Sequence, residues 1–153
     1  MSSFTNVVVS DPKKCSDRFG TSYISYKITA NNERGELFSS VRRFSDFHWL
    51  SQQLARNCPG AIVPAIPDKK IMGRHDSDFV ESRRRALERF LQRLSIHSEL
   101  GRNESFVLFL TTDEQTLKSA MDASKSPASK RLSMASSWLS DTANQLANSG
   151  KVD

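Results

Sequence analysis

The sequence changes from strand to helix character within one short stretch, Arg42-Arg43-Phe44-Ser45-Asp46-Phe47. The residues before it, Leu37–Arg43, predict a strand, and those after it predict a helix with Ser45 as its N-cap that ends near Asn57. Adjacent arginines beside an aromatic ring suit a multiply charged, ring-shaped anion, because a guanidinium can bind phosphate bidentately and a ring can form the floor of a pocket. Arginine pairs usually coat a solvated surface, so this interpretation needs support from elsewhere in the chain.

Two more strands are predicted before this stretch. Val7-Val8-Val9 begins a short strand that is expected to stop at Asp11-Pro12. Residues Tyr23–Thr29 are rich in β-branched and aromatic side chains, and a turn over Asn31–Gly35 joins them to Leu37–Arg43. The three segments predict an antiparallel meander.

The segment from Cys58 to Arg74 contains three prolines and is predicted to be irregular, with a polyproline II path over Pro64–Pro67. A helix follows that starts at Asp78, with Glu81 completing a capping-box-like pattern, and runs to about Ile96.

A short last helix is predicted to begin near Asn103, which would act as its N-cap, and to bury Phe106, Phe109 and Leu110. Three strands followed by three helices indicate an α+β fold, in which a three-stranded antiparallel sheet packs against a helical subdomain.

The charge of the chain is uneven. The net charge is +5, and from Thr111 onward five cations balance five anions, so the whole excess lies earlier. A basic globular body predicts an anionic partner, which is a nucleic acid, a membrane surface or an acidic protein. Cys15 and Cys58 match no metal or redox spacing, and with no signal peptide or spanning segment visible we expect a cytosolic protein with reduced thiols.

Arg83 lies on the apolar face of the helix predicted from Asp78 to Ile96. At 100° per residue it falls at the centre of the stripe that runs from Phe79 to Leu94. A guanidinium there needs an anionic ligand, a carboxylate on a neighbouring element or a path to the surface, and the helix alone leaves these alternatives open.

Lys69 and Lys70 directly follow the proline segment. Loop lysines are usually solvated, but a rigid extended segment would hold Lys69 in a fixed place.

Together these motifs resemble the PX (phox homology) domains of the sorting nexins. The resemblance covers residues 5–112 and rests on the arginine-arginine-aromatic stretch, on Pro64–Lys69 and on Glu81–Phe90. It is strongest to the sorting nexins in which a BAR domain follows, as in the membrane-associated half of retromer.

The resemblance implies a PX fold and a non-enzymatic module without catalytic residue, metal ion or cofactor. It would bind phosphatidylinositol 3-phosphate on the cytosolic face of endosomal membranes and serve protein sorting. Retromer subunits or other sorting nexins are the partners that the resemblance implies, through a C-terminal region that follows this sequence.

The resemblance also implies the roles of four headgroup-binding residues. Arg43 would hold the 3-phosphate, Phe44 would lie beneath the inositol ring, Lys69 would contact the 1-phosphate, and Arg83 would bind the 4- and 5-hydroxyls. Arg42 is expected to be structural or electrostatic.

A short loop is the predicted membrane contact. Ile71 and Met72 form an apolar tip for insertion, and Lys70 and Arg74 flank it as nonspecific electrostatic contacts.

The composition shifts after Thr112. Residues 113–131 are rich in Ser, Ala and Lys and are predicted to be a linker. Residues 132–147 carry a narrow apolar stripe that predicts either an amphipathic helix leading toward a BAR-like region or a disordered tail.

Three other functions are weighed against membrane targeting. An enzyme is not indicated, because His48, His75 and His97 belong to no catalytic motif. A nucleic-acid binder is suggested by Arg83-Arg84-Arg85 and a pI near 9.5, but a reading helix or stacking sheet is missing and no nucleic-acid partner is expected. A PX fold used for protein contacts, with weak or broad phosphoinositide binding, would be expected to lose the four pocket residues.

Overall fold

The structure, a computed structural model, describes residues 3–69 and 76–125. Within them, three strands form an antiparallel sheet in the order β1 (Thr5–Ser16), β2 (Ser22–Asn31), β3 (Leu37–Arg43). The helical elements that follow are α1 (Phe44–Asn57), α2 (Ser77–Ile96), a 3-10 turn (Leu100–Arg102), α3 (Glu104–Thr111) and α4 (Glu114–Lys125). The predicted α+β class with a three-stranded antiparallel sheet is confirmed.

The chain divides into two compact units, Met1–Leu117 and Lys118–Asp153. The first unit contains the sheet and α1 to α3. None of the helices within residues 3–69 and 76–125 is long and apolar enough to cross a membrane.

Strand β1 is longer than predicted. It does not stop at Asp11-Pro12 but continues to Ser16 through two shifts of register with β2. Asn6 and Asp11 lie at these irregularities with φ of 52° and 48°, a conformation that Asn and Asp tolerate better than other residues with a side chain. Pro12 falls in the second irregularity, where a residue without an N–H is accommodated.

Helix α1 begins two residues earlier than a cap at Ser45 predicts, so Ser45 is not its cap. Arg43 is the N-cap residue, and its N–H donates to the carboxylate of Asp46 over 2.9 Å. The carboxylate at the third helical position therefore accepts from the backbone N–H of the N-cap residue. Strand β3 and helix α1 follow each other without a loop, which puts Arg43 and Phe44 at a sharp junction.

Helix α2 begins at Ser77 with Asp76 as its N-cap residue, so the predicted cap at Asp78 is wrong by two residues. Glu81 does not turn back toward the helix start. Its carboxylate accepts hydrogen bonds from Arg84 and Arg85 instead, over 2.8 Å and 3.2 Å.

The C-terminal helices combine a confirmed prediction with a correction. Helix α3 starts as predicted, with the Asn103 side chain accepting from the N–H of Ser105 over 2.9 Å. Helix α4 occupies residues 114–125, where a linker was predicted over 113–131. A Ser- and Ala-rich composition does not prevent a helix whose Leu117 is buried.

Two predictions concern residues outside the described ranges. They are the membrane loop with Lys70, Ile71, Met72 and Arg74, and the amphipathic segment 132–147.

The core of the first unit joins the sheet to α1 and α3. Phe47 is fully buried, and its ring packs edge-on against Phe109 at 4.9 Å and Tyr26 at 6.4 Å between centroids. This packing holds the start of α1, and with it the β3–α1 junction, against α3 and strand β2.

Candidate functional site

One cavity brings together the four predicted headgroup residues, Arg43, Phe44, Lys69 and Arg83. It has a volume of about 170 Å³ and lies where β2, the β3–α1 junction and α2 meet. Ser45 of α1 also lines the cavity. The remaining lining residues come from β2 and the turn before it: Thr21, Ser22, Tyr23, Ile24 and Tyr26.

Arg83 faces the interior from α2, as the helical stripe predicted, and only 8% of it is exposed. Its guanidinium carbon lies 4.1 Å from the ring centre of Phe44 and 4.6 Å from that of Phe79. Its Nη2 donates to the backbone carbonyl of Asp68 over 2.7 Å. Because Asp68 precedes Lys69, this bond also holds the end of the proline segment beside the cavity.

Arg43 reaches the cavity from the last position of β3. Its guanidinium carbon lies 5.2 Å from the ring centre of Tyr23, which stands on β2. Asp46 fixes the Arg43 backbone. Burial raises the pKa of the Asp46 carboxyl, while the hydrogen bond from Arg43 and the charges of Arg43 and Arg42 oppose that rise.

Arg42 points away from the cavity, because successive side chains of a strand alternate between its two faces. It is 1% exposed, and its guanidinium donates to the carbonyls of Val41 and Phe109, each over 2.9 Å, and to that of Thr112. The expectation that Arg42 is structural rather than a cavity ligand is confirmed.

The cavity is cationic. Three of its lining residues carry a positive charge, and none of the described lining residues carries a carboxylate. Such a site favours a ligand with more than one negative charge. Within residues 3–69 and 76–125, no cluster of three or more His, Cys, Asp or Glu side chains is arranged to hold a metal ion.

Sequence reasoning missed the two tyrosines of the wall, Tyr23 and Tyr26. Burial raises the pKa of both phenols, and the charge of Arg43 at Tyr23 and of Arg83 at Tyr26 opposes the rise. The β2–β3 register would have indicated Tyr23, since Tyr23 lies two residues from Ser25, the partner of Arg43. No sequence pattern gives that register directly.

The comparisons with known sequences and with solved structures agree with one another. The sequence model of the PX domain matches residues 30–113. Human sorting nexin-30 is 39% identical over 116 residues, which cover 71% of this chain and 26% of that protein. The vacuolar protein sorting-associated protein vps5 of Schizosaccharomyces pombe is 47% identical over 72 residues, which cover 47% of this chain and 12% of that protein.

Among solved structures, the X-ray structure of a designed CISK-PX domain is similar with a TM-score of 0.63 and 32% sequence identity. The similarity covers 71% of this chain and all of that one. The matched part of this chain thus spans a complete domain of that structure but only about a quarter of the length of sorting nexin-30.

Proposed function

Because this chain belongs to the PX domain family, whose sorting nexin members are phosphoinositide-binding modules of membrane trafficking, we propose that it binds phosphatidylinositol 3-phosphate. The observation that carries the proposal is the convergence of Arg43, Phe44, Lys69 and Arg83 on one cavity lined by three cations. These residues come from three separate segments of the chain, so their meeting is not a consequence of sequence proximity.

In this proposal each residue has one task. The Arg43 guanidinium binds the 3-phosphate, because its planar fork matches two phosphate oxygens. Lys69 neutralises the 1-phosphate as a point charge. The inositol ring lies against Phe44, and Arg83, already bound to the Asp68 carbonyl, donates further hydrogen bonds to the 4- and 5-hydroxyls.

The module acts as a non-enzymatic membrane anchor on the cytosolic face of endosomes. Ile71 and Met72 insert into the bilayer, and Lys70 and Arg74 each contribute about 1 kcal/mol near an anionic leaflet. Retromer subunits or other sorting nexins are the proposed partners, and the similarity to a sorting nexin and to a vacuolar protein sorting-associated protein supports a role in protein sorting.

The test is co-sedimentation of the wild-type chain and of Arg43→Ala with liposomes that carry singly or doubly phosphorylated phosphoinositides. Arg43→Ala should lose about 1.5–3 kcal/mol of binding free energy on phosphatidylinositol 3-phosphate, roughly 10- to 150-fold in affinity, without a change in melting temperature. Arg102→Ala removes the same charge from an exposed position outside the cavity and should bind like the wild type.

Two results would contradict the proposal. One is unchanged binding by folded Arg43→Ala. The other is equal wild-type binding to all anionic liposomes, with a steep salt dependence that indicates nonspecific attraction. Insertion of Ile71 and Met72 predicts that the wild type binds bilayers more tightly than soluble inositol 1,3-bisphosphate, and equal affinities would exclude it.

A further inference from the structure

The two arginines of the cavity are held in different ways. Arg83 is anchored by the Asp68 carbonyl and by the rings of Phe44 and Phe79. The guanidinium of Arg43 makes no hydrogen bond or ion pair with any residue in 3–69 and 76–125, and its contact is the ring of Tyr23 at 5.2 Å. The described residues therefore leave the N–H donors of the Arg43 guanidinium to a phosphate, but the direction of these donors depends on one aromatic face.

The sheet register creates this contact. Arg43 on β3 pairs with Ser25 on β2, and Tyr23 lies two residues away on the same face of β2. Such diagonal neighbours lie within reach of aromatic and long side chains. Tyr23 also pairs with Cys15 of β1, and Ser25 pairs with both β1 and β3, so the sheet holds the backbone that carries the ring.

The Tyr23 ring meets Arg43 as a neutral group. Burial, above all, raises the pKa of the phenol, and the charges of Cys15 and Glu114 raise it further, whereas the charge of Arg43 opposes the rise. At neutral pH the contact is therefore an attraction between a cation and an aromatic face, and it does not consume the charge that a phosphate needs.

We propose that Tyr23 is a positioning residue of this site, whose ring orients the Arg43 guanidinium toward the 3-phosphate before the lipid binds. The proposal rests on the proposed function and assigns a role to a residue outside the four headgroup contacts. A long side chain that is already oriented loses less conformational freedom on binding, so the ring increases affinity without touching the phosphate.

The experiment measures binding of inositol 1,3-bisphosphate to the full chain by titration calorimetry. Tyr23→Leu removes the aromatic face and should weaken binding roughly three- to tenfold. Tyr23→Phe keeps the face and should bind within about twofold of the wild type. Phe19→Leu is the matched control, because it removes a similar arginine–ring pair, Arg18 over Phe19 at 5.1 Å, outside the cavity.

A second measurement tests the proposal on the wild type, even if Tyr23→Leu does not fold. Relaxation of the Arg43 Nε–H in the wild type, recorded by NMR without ligand, should show an ordered side chain, and in folded Tyr23→Leu a mobile one. A mobile Arg43 in the wild type would overturn the proposal.

Two binding results would overturn it as well. If Tyr23→Leu binds like the wild type, the ring does not position Arg43. If Tyr23→Phe loses as much as Tyr23→Leu, the phenol hydroxyl contacts the ligand directly. Failure of the proposed function is distinguishable, because then the wild type itself would not bind inositol 1,3-bisphosphate.

Discussion

Arg42 and Arg43 are adjacent in sequence and have separate tasks. Arg42 is buried among backbone carbonyls, and two of them, those of Phe109 and Thr112, lie at the C-terminal end of α3. Carbonyls at a helix end have no partner within the helix, and a cation there also interacts favourably with the helix dipole. Arg42 therefore joins the end of α3 to strand β3.

We predict that Arg42→Met lowers the free energy of unfolding by about 1–3 kcal/mol, because it leaves buried carbonyls without a donor. Chemical denaturation measures this loss. Arg102→Met, at an exposed position, should change stability little. Headgroup affinity of the folded Arg42→Met protein should stay within about twofold of the wild type. A variant as stable as the wild type would show that water replaces Arg42 at these carbonyls.

At the scale of the elements, helix α2 covers the outer edge of strand β1 with polar side chains. Glu88 accepts from the buried N–H of Val9 over 3.0 Å, and Arg84 donates to the Val9 carbonyl over 2.7 Å. Gln92 donates to the carbonyl of Val7 over 3.1 Å. These three side chains are spaced by four residues, so one face of α2 takes the place of a neighbouring strand and protects the edge.

Removing this support should destabilise the sheet without affecting the cavity. Glu88→Ala leaves the N–H of Val9 without its acceptor, and we expect a loss of about 1–3 kcal/mol in the free energy of unfolding. Glu88→Gln keeps an acceptor oxygen and should lose less. Arg85→Ala breaks only an ion pair at the surface and serves as the control.

Denaturant titrations of the three variants measure the loss of stability. Binding of inositol 1,3-bisphosphate to the same variants shows whether the cavity is affected. A Glu88→Ala protein of wild-type stability would mean that water satisfies Val9, and a selective loss of headgroup binding would mean that the edge and the cavity are coupled.

At the scale of the whole domain, Arg83 joins three segments that are distant in sequence. From α2 it contacts the ring of Phe44 at the start of α1 and the carbonyl of Asp68 at the end of the proline segment. Asp68 is exposed, so water can replace this hydrogen bond, and an apolar side chain can keep the packing against the rings.

We therefore predict that Arg83→Leu changes the ligand-free stability by no more than about 1 kcal/mol but removes most of the stabilisation by the headgroup. In the wild type, inositol 1,3-bisphosphate at 100 times its Kd should add about 2.7 kcal/mol to the free energy of unfolding. Thermal melts with and without this compound separate the two effects. A loss of several kcal/mol without ligand would assign Arg83 to the fold rather than to binding.

The sequence alone determined the α+β class, strand β3 and the start of α3, and the resemblance of its motifs to PX domains indicated four of the residues that line the cavity. These features follow from local signals, namely apolar periodicity, turn residues, a capping residue and short motifs, all of which act over a few neighbouring positions. Reasoning from local signals was wrong at Pro12, where β1 was expected to stop, and at residues 114–125, where a linker and not a helix was expected. A bulge within β1 accommodates the proline, and burial of Leu117 accompanies a helix that composition did not indicate.

Only the tertiary structure decided how the distant parts meet. Three contacts join residues far apart in the chain. Tyr23 contacts Arg43, Arg42 donates to carbonyls at the end of α3, and Glu88 accepts from the N–H of Val9 in β1. Such partners are selected by strand register and helix packing, because a buried polar group must find its partner wherever the fold brings one within hydrogen-bonding distance.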